Sequence, residues 1–213
     1  MSDKIPDLNL FMMCEAADEG AFSDLPAGYH IRTCGPPELA LWKAMPFDDP
    51  GTAEANRGVM ARYFDDVYAP KGDLFYRTCL FVCGADDAPV ATCFAWTAYG
   101  AITTIHWFKV LKPLEGRGIG RALLTAVMRG IAPGAYPVFL HTQPSSYRAI
   151  KLYTDFGFAL LTDPAVGPRR NDLWECLPIL RRYMPPRDFA RLRTAEAPKF
   201  FLEAVSTSEV DEF

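Results

Sequence analysis

Gly116, Gly118 and Gly120 occupy alternate positions in "LEGRGIGRALL" (114–124), directly ahead of an apolar run and interleaved with Arg117 and Arg121. Glycine is costly inside regular structure and is kept where the backbone takes unusual angles or approaches something closely. The chemistry open to such a run is anion binding. Alternate glycines let successive main-chain N–H groups converge on one anion, and the helix that follows adds unpaired amides and the positive end of its dipole. The stretch Glu115, Gly116, Arg117, Gly118, Ile119, Gly120 and Arg121 is therefore a candidate diphosphate cradle, with Arg117 and Arg121 supplying mobile positive charge beside it. Two other phosphate loops fit poorly. A P-loop needs a Lys-Ser/Thr pair after its last glycine, and none follows Gly120. A dinucleotide fingerprint needs G-x-G-x-x-G in an early βαβ unit; here the third glycine falls one residue early, and Leu140 stands where an acid is required. A tight strand-to-helix turn with no ligand is the alternative.

A second stretch, "SYRAIKLYTDFGF" (146–158), places Ala149, Ile150, Tyr153 and Phe156 on one helical face and closes on Gly157 before a strand. Together the two stretches resemble the GCN5-related N-acetyltransferase (GNAT) family. One family signature, Gln/Arg-x-x-Gly-x-Gly/Ala, starts a helix after the fourth strand. The other, Asn-x-x-Ala-x-x-x-Tyr-x-x-x-Gly-Phe, lies on the helix after the fifth. Both occur here in that order, across a resemblance spanning roughly residues 28–162. Glu115 stands where the family usually has Gln or Arg, and Ser146 where it often has Asn.

The resemblance implies a mixed, mostly antiparallel α/β sheet of six or seven strands flanked by about four helices, with acyl-CoA bound where strands four and five splay. It implies transfer of an acetyl group from acetyl-CoA to a primary amine, of a small molecule or a peptide, by direct attack in a ternary complex. A non-catalytic acyl-CoA-binding or regulatory module of the same fold is the alternative. The cofactor diphosphate falls to residues 116–121 with Ser146 nearby. The pantetheine arm falls to the backbone of Phe108, Lys109 and Val110, with Val110 N–H as donor to the thioester oxygen. Tyr153 matches the family tyrosine; its phenol, with a pKa near ~10 above a thiol's ~8.5, is un-ionised at neutral pH and so has a proton to give the leaving thiolate. His106 is the candidate base, because strand alternation puts it on one side with Thr104, Phe108 and Val110. His141 and a water chain are its competitors. Trp42, Tyr63, Asp65, Asp66, Trp96 and Tyr99 are acceptor-side candidates.

The elements that must position these groups are legible from periodicity. "GYHIRT" (28–33) reads as a first strand, followed by helices over 36–45 and 53–69. Residues 73–110 divide into three strands at "GADDAP" and "AYGA", an antiparallel meander. A helix runs from the glycines to about Ile131, "VFLHT" (138–142) is a fifth strand, 144–156 a helix and "FALLT" (158–162) a sixth strand. Residues 1–27 form an N-terminal extension, 28–162 the acetyltransferase domain, and 163–213 a helical segment in which "KFFLEAV" (199–205) is a possible last strand.

Composition narrows the classes. The chain has 213 residues, half of them hydrophobic, and a formal charge of −4. That argues against a nucleic-acid partner, which needs a basic face. No apolar stretch approaches the ~20 residues of a membrane span, so no membrane partner is expected. The start lacks the pattern of a signal peptide, and the expected compartment is cytoplasmic. The six cysteines are scattered without a CxxC pair, which reads as free buried thiols and no metal site. A monomer or homodimer is expected.

Overall fold

The three-stranded meander forms most of one half of the sheet in the computed structural model, which describes residues 5–213. Its strands are β3 (Leu80–Cys83), β4 (Pro89–Ala98) and β5 (Ile102–Val110), preceded at one edge by β2 (His30–Thr33). Alternation sorts the side chains of β4 cleanly. Ala91 and Cys93 face one core, while Phe94, Trp96 and Ala98 face a second, aromatic one. The first core lies under α4 (Ile119–Arg129) and α5 (Tyr147–Asp155), and the second under α1 (Leu39–Ala44), α2 (Pro50–Tyr63) and α3 (Leu74–Thr78). Helix α2 continues as a π-turn over Phe64–Tyr68, which brings Phe64, Val67 and Tyr68 into the aromatic core.

Beyond β5 the sheet continues through β6 (Val138–Thr142), β1 (Leu10–Cys14), β7 (Ala159–Leu161) and β10 (Thr194–Ala195). The expected mixed, mostly antiparallel sheet is present, with eight strands in the order β10-β7-β1-β6-β5-β4-β3-β2. The additions come from the flanks. "LFMMC", inside the segment read as an extension, is a fully buried strand in register with all of β6. The first four residues of that extension lie outside the described residues. A separate two-stranded ladder joins β8 (Ala165–Val166) to β9 (Arg169–Arg170). Helices α6 (Leu173–Tyr183) and α7 (Pro186–Phe189) follow.

The possible strand at 199–205 is instead helix α8 (Lys199–Thr207). Phe201 and Val205, four residues apart, bury one helical face, and Phe201 stacks on Phe139 of β6 at 3.8 Å. Among the described residues no helix is long and apolar enough to cross a membrane.

Candidate functional site

Two features of β5 shape the site. First, β5 and β6 run parallel but pair only at Thr103↔Val138 and Thr104↔Phe139. Past that point the strands part, leaving one edge of residues 105–110 unpaired among the described residues. Leu111 N–H donates to Val90 O on β4 at 2.9 Å. Successive N–H groups of a strand point to opposite edges, so Val110 N–H points away from β4 into the opening.

Second, β5 carries a bulge. The register steps from His106↔Phe94 to Lys109↔Thr92, with Trp107 at φ 50°. One extra residue reverses the alternation beyond it. Thr104, His106 and Trp107 lie on the aromatic side, whereas Phe108 and Val110 pack toward α4. The shared side expected for Thr104, His106, Phe108 and Val110 is thus broken at Trp107.

The glycine run sits at the N-terminus of α4. Gly116 and Gly118 have φ 78° and 84°, a left-handed region that side chains rarely adopt. Gly120 has a different task. A Cβ there would stand 3.0 Å from Phe108 Cζ and 3.3 Å from Val110 Cγ2, so its hydrogen lets α4 lie against β5. Ile119 is fully buried in the core below. The first main-chain donor of the helix is Ala122 N–H, which bonds to Gly118 O. Among the described residues, no protein oxygen accepts from the N–H groups of residues 116–121.

The charges around the run are arranged differently from the sequence expectation. Arg121 is not mobile: its guanidinium bonds to Asp155 Oδ2 at 2.5 Å and to Ala21 O at 2.9 Å. Lys151 and Arg191 share that carboxylate. Burial pushes Asp155 up, but Lys151 and Arg121 outweigh it and hold the carboxyl below its usual range. Arg117 stays exposed and donates to Pro113 O at 3.4 Å. Glu115 pairs with Arg148 at 2.7 Å, which neutralises the acid and sets a second exposed guanidinium beside the loop. Neither Arg148 nor Asp155 was singled out from the sequence, although both lie in the second signature stretch. Ser146 is half-buried at the start of α5, its N–H bonded to Gln143 O at 2.9 Å. Lys109 points to the other face, paired with Asp48 at 2.5 Å.

Tyr153, on α5, is buried beside Phe108, with ring centroids 5.7 Å apart and Phe158 at 5.8 Å. Its hydroxyl has no hydrogen-bond partner among the described residues, and burial holds its pKa well above the phenol range. It shares the α4 side of the sheet with the glycine run.

His106 is elsewhere. Thr104 Oγ1 donates to Trp96 O at 3.2 Å, so it accepts from His106 Nε2–H at 2.8 Å. His106 Nδ1 then accepts from the Tyr68 hydroxyl at 2.5 Å, and Tyr68 in turn accepts from Trp107 Nε1–H at 2.9 Å. Every lone pair and proton of the ring is committed, and burial lowers the pKa to about 3. His141 is similarly bound: Arg169 Nη1 donates to its Nδ1 at 3.3 Å, and its Nε2 faces Asn9 Oδ1 at 2.9 Å. Burial, with Arg169 adding to it, lowers that pKa to about 4.

The acceptor-side candidates divide likewise. Trp42 and Trp96 are core residues, Asp65 and Asp66 are exposed on the π-turn, and Tyr63 and Tyr99 meet the C-terminal tail. His30, Cys83 and Asp87 come within 4.8 Å of one another, but Asp87 Oδ1 is held by His30 and by Arg32, both at 2.8 Å. A guanidinium therefore neutralises the carboxylate of that cluster.

This sheet and glycine turn define a known class. The acetyltransferase (GNAT) family model matches residues 46–158, more than half the chain, and the chain belongs to that family. Family and fold support acyl transfer in general. A tandem GNAT protein from the clavulanic acid biosynthesis pathway is 15% identical, with a TM-score of 0.53 over 73% of this chain and 50% of that one. A GCN5-related N-acetyltransferase from Sphaerobacter thermophilus is 22% identical, covering 73% of this chain and 49% of that one, TM-score 0.44. A GNAT-family acetyltransferase from Colwellia psychrerythraea is 12% identical over 73% and 53%, TM-score 0.47. The matched region is about half the length of these chains, and the likeness is one of fold. Comparison with curated proteins gave no match.

Proposed function

We propose that this chain transfers an acetyl group from acetyl-CoA to a primary amine, of a small molecule or a peptide, while both are bound together. One observation carries this reading: the main-chain N–H groups of residues 116–121 have no protein acceptor among the described residues, at a helix N-terminus beside an opened pair of strands. Unbonded N–H groups gathered at the positive end of a helix are completed by an anion. Arg117 adds exposed positive charge at the same place, and Arg148 cancels the acid of Glu115. The unpaired edge of β5 suits an extended, amide-rich arm, which pairs with it as a strand does.

When bound, acetyl-CoA supplies the activated acetyl group as a thioester. The chain's own residues do the rest. Val110 N–H stabilises the negative charge that grows on the carbonyl oxygen. Tyr153, whose burial keeps it protonated, gives its proton to the departing sulfur as the carbon–sulfur bond breaks and the carbon–nitrogen bond forms. The proton released by the amine leaves through water and restores the phenol, because His106 and His141 have no free lone pair to receive it.

Calorimetric titration with acetyl-CoA, followed by thiol release over a panel of primary amines, tests the reading. Expected are saturable binding and thiol produced in step with acetylated amine. Absence of binding and of thiol release would overturn it. The second reading, a non-catalytic acyl-CoA-binding module, is favoured by residues 211–213 lying over the other mouth of the opening, held by Tyr63, Tyr99 and Arg169. Tyr153→Phe separates the two: a catalyst loses rate while keeping acetyl-CoA affinity, and a binding module has no rate to lose.

A further inference from the structure

Residues Asp211–Phe213 lie across the β5–β6 opening on the face away from α4. On the β5 side, Tyr63 packs its ring on Trp107 at 5.3 Å and donates its hydroxyl to Glu212 O at 2.8 Å. Tyr99 and Glu212 bond reciprocally: Tyr99 N–H donates to Glu212 Oε1 at 2.7 Å, and Glu212 N–H donates to the Tyr99 hydroxyl at 2.9 Å. On the β6 side stands Arg169, which already touches His141. Its Nε donates to Asp211 Oδ2 at 2.7 Å, and its Nη2 donates to the Phe213 carbonyl oxygen. The Phe213 ring meets Phe11 at 5.4 Å, Tyr99 at 5.5 Å and Phe201 at 6.1 Å.

Phe213 thus presents two groups to this pocket: a carbonyl oxygen to a guanidinium and a ring to an aromatic wall. An aromatic amino acid presents the same two, with a carboxylate for Arg169. The ion pair in that hold is a weak one. The Arg169–Asp211 pair is about a third exposed on each side (28% and 34%), and exposed ion pairs hold weakly. A cavity of about 400 Å³ runs between Tyr99, Gly167, Val205 and the segment Ser208–Asp211, so the strap is not packed along its length.

On the acetyl-transfer reading the cofactor enters from the face of the glycine run, which leaves this opposite face to the amine. We propose that Asp211–Phe213 is a tethered occupant of the acceptor pocket, and that the acceptor which displaces it is an aromatic amine bearing a carboxylate, received by Arg169. Naming the pocket the acceptor's rests on the acetyl-transfer reading; the competition for Arg169 does not.

Hydrogen–deuterium exchange on the full chain tests this, with L-phenylalanine as probe and phenethylamine, which lacks the carboxylate, as control. L-phenylalanine is expected to speed exchange of the tail amides several-fold and phenethylamine to leave them nearly unchanged. Arg169→Met should free the tail by itself and abolish the response to L-phenylalanine. In the full chain, the double variant Asp211→Asn, Glu212→Gln, which disturbs no core residue, should lower KM for L-phenylalanine by about 5-fold at unchanged kcat, as removal of an internal competitor requires. The proposal is overturned if L-phenylalanine leaves the tail unchanged while the double variant frees it. It is also overturned if the double variant moves neither exchange nor KM. Acetyl-CoA calorimetry in parallel keeps the two readings apart: lost cofactor binding with retained tail competition defeats the reaction, not the pocket.

Discussion

On the α4 face of the sheet, the N–H groups of residues 116–121 find no oxygen among the described residues, and the Tyr153 hydroxyl is likewise unbonded. On the opposite face, the phenols, imidazoles and guanidinium of Tyr63, Tyr68, Tyr99, His106, His141 and Arg169 are bonded to one another, to the strands or to the tail. Both faces carry residues able to do acid–base chemistry. What separates them is whether those groups are already spent. An uncommitted polar group beside an opening awaits a ligand, whereas a closed chain of bonds, such as Trp107–Tyr68–His106–Thr104, fixes the aromatic core in one arrangement.

The largest expected effect breaks the support of the loop face. Asp155→Ala leaves the partly exposed Arg121, Lys151 and Arg191 without their shared acceptor and should cost about 3 kcal/mol of unfolding free energy as three charge-assisted bonds are lost, read by chemical denaturation. Acid should mimic part of this. The Asp155 carboxyl is held below its usual range, so its contribution is present above the unfolded-state pKa and lost as pH falls through the folded one.

Next comes chemistry at the opening. Tyr153→Phe should lower kcat by about 100-fold, the general-acid scale, with acetyl-CoA affinity within about 2-fold of wild type by calorimetry. A comparable loss of affinity would assign Tyr153 to packing instead. A smaller effect is expected from Gly118→Ala, which forces a side chain into φ 84° and turns the loop amides. Acetyl-CoA should bind about 10-fold more weakly, since roughly 1–2 kcal/mol separates that conformation from its alternatives.

The smallest effects concern the closed face. Ordinary imidazoles titrate near ~6.5, whereas burial takes His106 to about 3 and His141 to about 4. Between pH 6.5 and those values the unfolded chain binds more protons than the folded one, so stability should fall as pH drops through that window and be fully present above it. Turnover, by contrast, should show no ionisation near 6.5 and should follow the acceptor amine alone. A rate profile with a histidine-like limb, abolished by His106→Gln, would show that this face is not closed.

The sequence carried the loop face well and the closed face poorly, for identifiable reasons. Glycine spacing, the stripe of α4 and the Tyr153 stretch are local patterns, and each lies where periodicity puts it. The bulge at Trp107 has no such mark: an ordinary aromatic residue takes a positive φ, and the alternation that joined His106 to Phe108 reverses there. Strand β1 was missed because its partners, β6 and β7, lie more than a hundred residues away, and five apolar residues say nothing of where they pair. Residues 199–205 suit strand or helix equally until Phe139 and Phe213 select the face that holds Phe201. Arg121 looked free only because Asp155 is distant in sequence.

The central claim is that the uncommitted amides of residues 116–121 receive the cofactor's diphosphate. Amide nitrogen–proton NMR during titration with acetyl-CoA reads those groups one by one. The account predicts that the resonances of Gly116, Gly118 and Gly120 are among the most strongly displaced, saturating with the calorimetric affinity. Saturable binding that leaves these three resonances in place would contradict it.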